Sequence, residues 1–300
     1  EPWPTWTFLL PDGARVVHEL CALHETPAVL ATWRVEGERR ADLVLCVRPL
    51  VSGRDYHALH HENPAFDFGP RALEADRVVF APYSGVPAFE LVSNGRYTHA
   101  PEWYRNFHYA QETERGLDDR EDLASPGILR FDLSAGEARL FIATEGAAPL
   151  LSEAESARDR ERERRRGFAT PLHRAADAYL VQRGRGRSII AGYPWFADWG
   201  RDTFISMRGL CLATGRLDVA GDLLREWSGA VSDGMLPNRF PDAGETPEYN
   251  SVDASLWYVV CVGEYLARVP RVPPDLRKTL CQAVDAIIDG TMRGTRYRIH

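Results

Sequence analysis

The sequence predicts a multi-domain α and β protein, an antiparallel β-sandwich followed by the first part of an α/α barrel. Three observations carry that expectation. Short β-rich runs separated by Gly, Pro, Asp and Asn fill the chain from Trp3 to about Thr144, with no helical pattern between them. From Pro171 onward the apolar period becomes helical. Within that helical part, segments with one apolar stripe alternate with segments apolar on all sides, the signature of outer and inner layers.

The β-rich runs are ARVVHEL, AVLATWRV, DLVLCVRPL, RVVFAPY, AFELVS, ILRFDL and ARLFIAT. In ILRFDL, Leu129, Phe131 and Leu133 alternate with Arg130 and Asp132, as on a half-buried strand. Residues 1–150 are therefore expected to form a sandwich-like amino-terminal domain. The run EWYRNFHYAQETERGLDDREDLASPG reads as a long surface connection, one that would also suit a groove or a neighbouring domain. His57, His60 and His61 lack the partners that complete a metal set, so they read as loop histidines and no metal is expected.

Residues 151–170 read as a charged helical linker. Its core, SEAESARDRERERRR, sets five acids against six arginines, nearly neutral and suited to a solvated helix rather than to nucleic acid. RGRGRS lacks the lysine of a phosphate loop and reads as a flexible connection.

Residues 171–300 carry the helices. Leu172, Ala176, Tyr179 and Leu180 make one stripe; Leu217, Ala220, Leu224, Trp227 and Val231 a second; Leu276, Leu280, Ala283, Val284 and Ile287 a third. Between them TFISMRGLCLA and ASLWYVVCV are apolar nearly all round, as enclosed helices are. The links after the inner segments, ATGR and RVPRVPP, are short, whereas those before them are long and rich in aromatic and acidic residues. Both long links precede inner helices, so both should open onto one rim, where long loops on a rigid scaffold carry function.

Composition excludes several classes. A net charge of −7 argues against nucleic acid or an anionic membrane as partner. No apolar run reaches the roughly 18 residues of a membrane span. Five cysteines without a CxxC read as buried reduced thiols, and with no secretory signal the expected compartment is the cytoplasm. Oligomeric state is open. A chain that begins at Glu1 and stops at RYRIH is expected to be a piece of a longer one.

The two long links carry the chemistry. GYPWFADWGRDTFI combines Trp195, Phe196 and Trp199 with Asp198, Arg201 and Asp202: rings for the apolar face of a sugar, charged groups for its hydroxyls. In LPNRFPDAGETPEYNSVDASLW, Asp253 stands at the start of an inner helix, where burial would raise its pKa and suit it to protonate a leaving oxygen. Asn238, Glu248, Tyr249 and Asn250 are candidates to orient the sugar or the acid.

Extended to GYPWFADWGRDTFISMRGLCLATGR and GMLPNRFPDAGETPEYNSVDASLWY, these segments resemble the catalytic domain of bacterial glycogen debranching enzymes. That is the amylo-α-1,6-glucosidase family, related in architecture to inverting glucoamylases. WYRNFHYAQETERGLDDREDLASPG resembles the β-rich domain that accompanies it. The resemblance implies an (α/α)6 barrel behind a β-sandwich, and inverting hydrolysis of α-1,6-linked glucose branches of glycogen or another branched α-glucan, with no cofactor. It implies general acid for Asp253 and a grip on the terminal glucose for Arg201 and Asp202, with Trp195, Asp198 and Trp199 in the same motif. Asn238, Glu248, Tyr249 and Asn250 become substrate-binding by motif membership.

An inverting enzyme needs a second carboxylate about 6.5–9.5 Å from the acid. The resemblance puts it in a later part of the barrel, beyond residue 300, since Asp285 and Asp289 fall on an outer helix. The chain alone is expected to be inactive. Two other functions fit the same residues: an inverting exo-α-glucosidase on short malto- or isomalto-oligosaccharides, and an α-glucan-binding protein without hydrolysis.

Overall fold

The alternating run Leu129–Leu133 closes a long strand, β9 (Arg120–Asp132), and alternates as its spacing requires, with Leu129, Phe131 and, just past the strand, Leu133 buried and Arg130 and Asp132 exposed. The structure is a computed structural model that describes residues 3–37, 42–55, 58–184, 186–193, 196–239 and 246–299. The chain divides into two units, Glu1–Gly167 and Phe168–His300.

In the first unit a seven-stranded antiparallel sheet runs in the order β1 (Thr5–Leu9), β2 (Arg15–Ala22), β3 (Ala28–Glu36), β10 (Ala138–Thr144), β7 (Phe89–Ser93), β6 (Arg77–Phe80), β5 (Pro70–Leu73). A three-stranded sheet orders β4 (Val44–Val47), β9 (Arg120–Asp132) and β8 (Arg96–His108). Val16, Ala31, Phe80, Leu91 and Leu140 of the larger sheet share one core with Leu129 and Phe131 of the smaller. Two antiparallel sheets thus bury their apolar faces against each other. All seven β-rich runs fall on strands; β1, β5 and β8 are additional.

Three expectations for this half are corrected or refined. The run expected to be a loose surface connection is an arm of paired strands, β8 turning through α1 (Ala110–Glu114) into β9. Its Trp103 packs beside His60, Phe66 and Phe68, with ring centroids 5.3, 5.3 and 5.6 Å away. The charged segment is helical as expected, but it is not solvated on every side. As α2 (Ala154–Arg166) it buries Ala154, Ala157 and Glu161, and Ala154 joins Trp3, Cys21, Leu30 and Phe141 in a second core. Ion pairing makes this possible: Arg164 and Arg165 hold the buried Glu161, while Arg158 reaches Glu137 at 2.9 Å and Glu19 at 3.7 Å. Third, His60 lies in a loop as expected but is buried there, its ring bonded to the Tyr83 hydroxyl at 2.7 Å and to the Asp122 carbonyl at 3.0 Å. His57 lies outside the described residues.

The second unit opens with α3 (Pro171–Ala178), capped by Thr170, whose hydroxyl accepts the His173 N–H at 3.2 Å, with proline at the first turn where its missing N–H costs nothing. The stripe predicted there is cut short. Leu172 is exposed, and Tyr179 and Leu180 leave the helix for a hairpin of β11 (Leu180–Arg183) and β12 (Gly186–Ile189). Of RGRGRS, expected to be a flexible connection, Arg183 ends β11 and Gly186, Arg187 and Ser188 belong to β12; Arg185 lies outside the described residues.

Then come α4 (Gly200–Met207), widening into a π-helical turn over Arg208–Ala213, α5 (Leu217–Ser228), α6 (Asp253–Arg268) and α7 (Pro274–Arg293). α4 packs on α6, and α5 packs on α6 and α7. At their meeting point Phe204 stands edge-on to Trp227 (5.1 Å) and Tyr258 (5.2 Å), all three buried. Burying a side chain such as Phe204 contributes about 1.5–3 kcal/mol, and the Tyr258 hydroxyl avoids an unpaired cost by donating to the Leu224 carbonyl at 3.0 Å.

The stripes predicted for α5 and α7 face this core. α4 and α6 differ from expectation: the runs TFISMRGLCLA and ASLWYVVCV are apolar nearly all round, yet Ile205, Leu256 and Val260 are exposed. Cys46 and Cys281 are likewise exposed, whereas Cys21, Cys211 and Cys261 are buried.

Candidate active site

Trp199 enters α4 extended and gives its first turn no side-chain cap. Those leading N–H groups need acceptors from elsewhere. Asn238 supplies two: its carbonyl accepts the Gly200 N–H at 2.8 Å and its Oδ1 accepts the Arg201 N–H at 3.2 Å. The same segment reaches α6, where the Leu236 N–H donates to the buried Ser255 hydroxyl at 2.7 Å. Extended contacts join Trp199 to Arg239 and Arg239 to Glu248. The two long links are thereby sewn together, and the starts of α4 and α6 lie at one rim.

Gly200 is required by the closeness of this seam. A Cβ there would stand 2.5 Å from the Pro237 carbonyl oxygen and 3.3 Å from both the Ala254 Cβ and the Trp227 ring. Alanine gains up to about 1 kcal/mol in helix propensity, but backbone and core cannot yield that distance cheaply. Gly200→Ala is expected to destabilise the second unit by a net 1–3 kcal/mol, roughly the usual cost of overpacking, read as a fall in unfolding midpoint. An unchanged midpoint would show that the seam relaxes.

At the rim Arg201 and Asp253 meet, Nε to Oδ2 at 2.8 Å, with side chains 49% and 44% exposed. Ser251, only 5% exposed, donates its hydroxyl to Asp253 Oδ1 and accepts from Arg201 Nη2 at 3.4 Å. The expectation that burial raises the Asp253 pKa is corrected by this triangle. Desolvation does push it up, but the Ser251 hydroxyl and the Arg201 guanidinium together outweigh that and hold the carboxyl below its usual range. Asp253 rests as a paired carboxylate.

Trp199, half-buried, stands edge-on to the exposed Phe196 at 6.4 Å, with Arg239 6.0 Å from its ring. Asp202, exposed one residue past Arg201, lines a cavity of about 260 Å³ with Tyr179, Ile190, Ala191, Ile205, Ser206 and Leu210. Glu248 pairs with Arg239 at 3.2 Å and accepts from Asn250 Nδ2 at 3.2 Å.

Three other candidates have their polar atoms engaged within the protein. Asp198 is buried and bonded by Arg183 and by the Ser188 hydroxyl (2.9 Å), which pins the β11–β12 hairpin to the entrance of α4. Asn238 is the remote cap already described. Tyr249 donates its hydroxyl to the Ala230 carbonyl at 2.9 Å, and Arg296 stacks on its ring at 4.1 Å. Trp195 lies outside the described residues, as do residues 240–245 of the second link. Two residues of this rim were not among the sequence candidates, Arg239 and Ser251. Their signal was position alone, Arg239 next to Asn238 and Ser251 two residues before Asp253.

The fold resembles that of a glucoamylase. A crystal structure of a bacterial glucoamylase complexed with acarbose aligns over 96% of this chain and 56% of its own, with a TM-score of 0.51 at 10% identity, a likeness of fold. The family model described as amylo-alpha-1,6-glucosidase matches residues 174–300, and the one described as glycogen debranching enzyme N terminal matches residues 1–140. A glycogen debranching enzyme of Saccharomyces cerevisiae is 40% identical over 88 residues, 28% of this chain. The chain belongs to the glycogen debranching enzyme family. It spans 6% of the length of that yeast relative.

Proposed function

We propose that this chain is part of a glycoside hydrolase that removes α-1,6-linked glucose stubs from glycogen or limit dextrin with inversion. The observation that carries the proposal is the meeting of Arg201 and Asp253 at the joint rim of the two long links. In this scheme α3 to α7 begin an (α/α)6 barrel whose later helices cover the exposed face of α4 and α6. Asp253 gives its proton to the glycosidic oxygen as the bond to the anomeric carbon breaks. A second carboxylate, beyond residue 300, takes a proton from the water that attacks that carbon from the opposite face.

Arg201 has five N–H donors. Two are directed at Asp253 and Ser251, and the others would take adjacent hydroxyls of the terminal glucose. Asp202 would accept from such hydroxyls, and Trp199 with Phe196 would stack on the sugar's apolar face. A sugar that engages the guanidinium competes with Asp253 for it. Loss of that counter-charge raises the affinity of the carboxyl for a proton, so binding would arm the acid.

The test is product analysis with the full-length protein on a branch-limited dextrin, beside maltotriose and isomaltose. Release of glucose from the dextrin, with β-glucose first by NMR of fresh product, is the expected result. Initial α-glucose would exclude inversion. Preference for the short oligosaccharides would favour a general exo-α-glucosidase, and binding without release would favour a glucan-binding protein.

A further inference from the structure

We infer that Ser251 is a positioning residue for Asp253: its buried hydroxyl holds the carboxylate turned toward Arg201 and thereby governs when that group accepts its proton. The inference rests on the acid role proposed for Asp253. Its geometric basis is a closed triangle of three polar side chains, Ser251 to Asp253 Oδ1, Asp253 Oδ2 to Arg201 Nε, and Arg201 Nη2 to Ser251 Oγ. The members are unequal. Arg201 and Asp253 are half open to solvent, whereas Ser251 is buried. The buried corner anchors the other two.

An ordinary duty at a helix start does not account for this hydroxyl. The cap position of α6 is Val252, which makes no side-chain cap bond, and Ser251 spends its proton on the carboxylate instead of on a backbone group. A serine that accepts from an arginine and donates to the carboxylate beside it relays the state of one to the other. While Arg201 is engaged with the pair, both bonds favour the ionised form of Asp253. Once Arg201 turns to a ligand, Ser251 keeps the carboxyl in place and remains its partner.

The charged groups of the described rim are few. Arg201 and Asp202 come from α4. Arg239 and Glu248 come from the second link and are paired with each other at 3.2 Å. Among the described residues, Arg201 is the cation bonded to Asp253.

The test uses the full-length protein and the pH profile of kcat/KM on a branch-limited dextrin, whose descending limb reports the essential acid of the unliganded enzyme. In Ser251→Ala the limb is expected to move to higher pH by about one unit, because one bond to the ionised form is gone. kcat below the limb is expected to fall about tenfold, as the carboxyl loses its orientation. Ser251→Thr, which keeps the hydroxyl, should restore the limb. Should the extra methyl prevent folding, Ser251→Cys, a weak donor, should give an intermediate shift.

A limb unmoved in Ser251→Ala overturns the inference, including the case in which kcat and thermal stability both drop, since that is what a purely structural serine does. Activity surviving in Asp253→Asn would instead remove the reading on which the inference stands. The two failures are therefore distinguishable.

Discussion

Asp253→Asn in the full-length protein is expected to lower kcat on a branched α-glucan by about three orders of magnitude, within the roughly 10²–10⁴ range that a positioned acid contributes. The carboxamide cannot deliver a proton to a leaving oxygen. Its effect on the fold should be small, because the side chain is 44% exposed and its carbonyl oxygen can still accept the Ser251 hydroxyl. Kinetics and a thermal melt on the same sample check both halves of the statement. Wild-type-like turnover would take Asp253 out of the acid role, and an unfolded variant would mean that the ion pair with Arg201 serves stability instead.

Arg201→Ala is expected to lower kcat/KM by about 10²-fold, the loss of one or two charge-assisted hydrogen bonds to a sugar at roughly 1.5–3 kcal/mol each, partly replaced by water. The start of α4 should survive, since the bond from Asn238 goes to the main-chain N–H of residue 201 and not to its side chain. Removing the guanidinium also removes what holds the Asp253 carboxyl low, so the descending limb of the pH profile should move upward. A kcat/KM within twofold of wild type would refute the sugar-gripping role.

Much of the fold was legible because periodicity survives in single sequences. The strict alternation of ILRFDL marked β9, and the stripe Leu276–Leu280–Ala283–Ile287 marked the buried face of α7. The helix of α2 was legible but its buried face was not, for a physical reason: composition counts charges, whereas burial depends on whether each has a partner, and Glu161 has two. β11 and β12 escaped notice because each is four residues long and Val181 and Ile189 are their only β-branched residues, too few to show a strand period.

At the site, residue types and spacing brought the two links together but could not say which partner each polar atom would choose. Asp198 chose Ser188 and Arg183, and Asn238 chose the backbone of α4. Asp253 drew a serine and an arginine instead of an apolar wall, which reversed the expected direction of its proton affinity. Such choices are settled by ångström-scale geometry across segments far apart in sequence. No window of residues encodes them.

The Asn238 contact has a mechanical consequence. One residue, through its main-chain and side-chain oxygens, fastens the helix that bears Arg201 to the link that precedes Asp253. A loop hinge between those pieces would let each search its own positions, and the spacing between guanidinium and carboxylate would drift with thermal motion. Fastened in this way, they travel as a single jaw. Whatever closes on an incoming chain must carry both backbone segments with it, leaving only the guanidinium to swing from carboxylate to sugar.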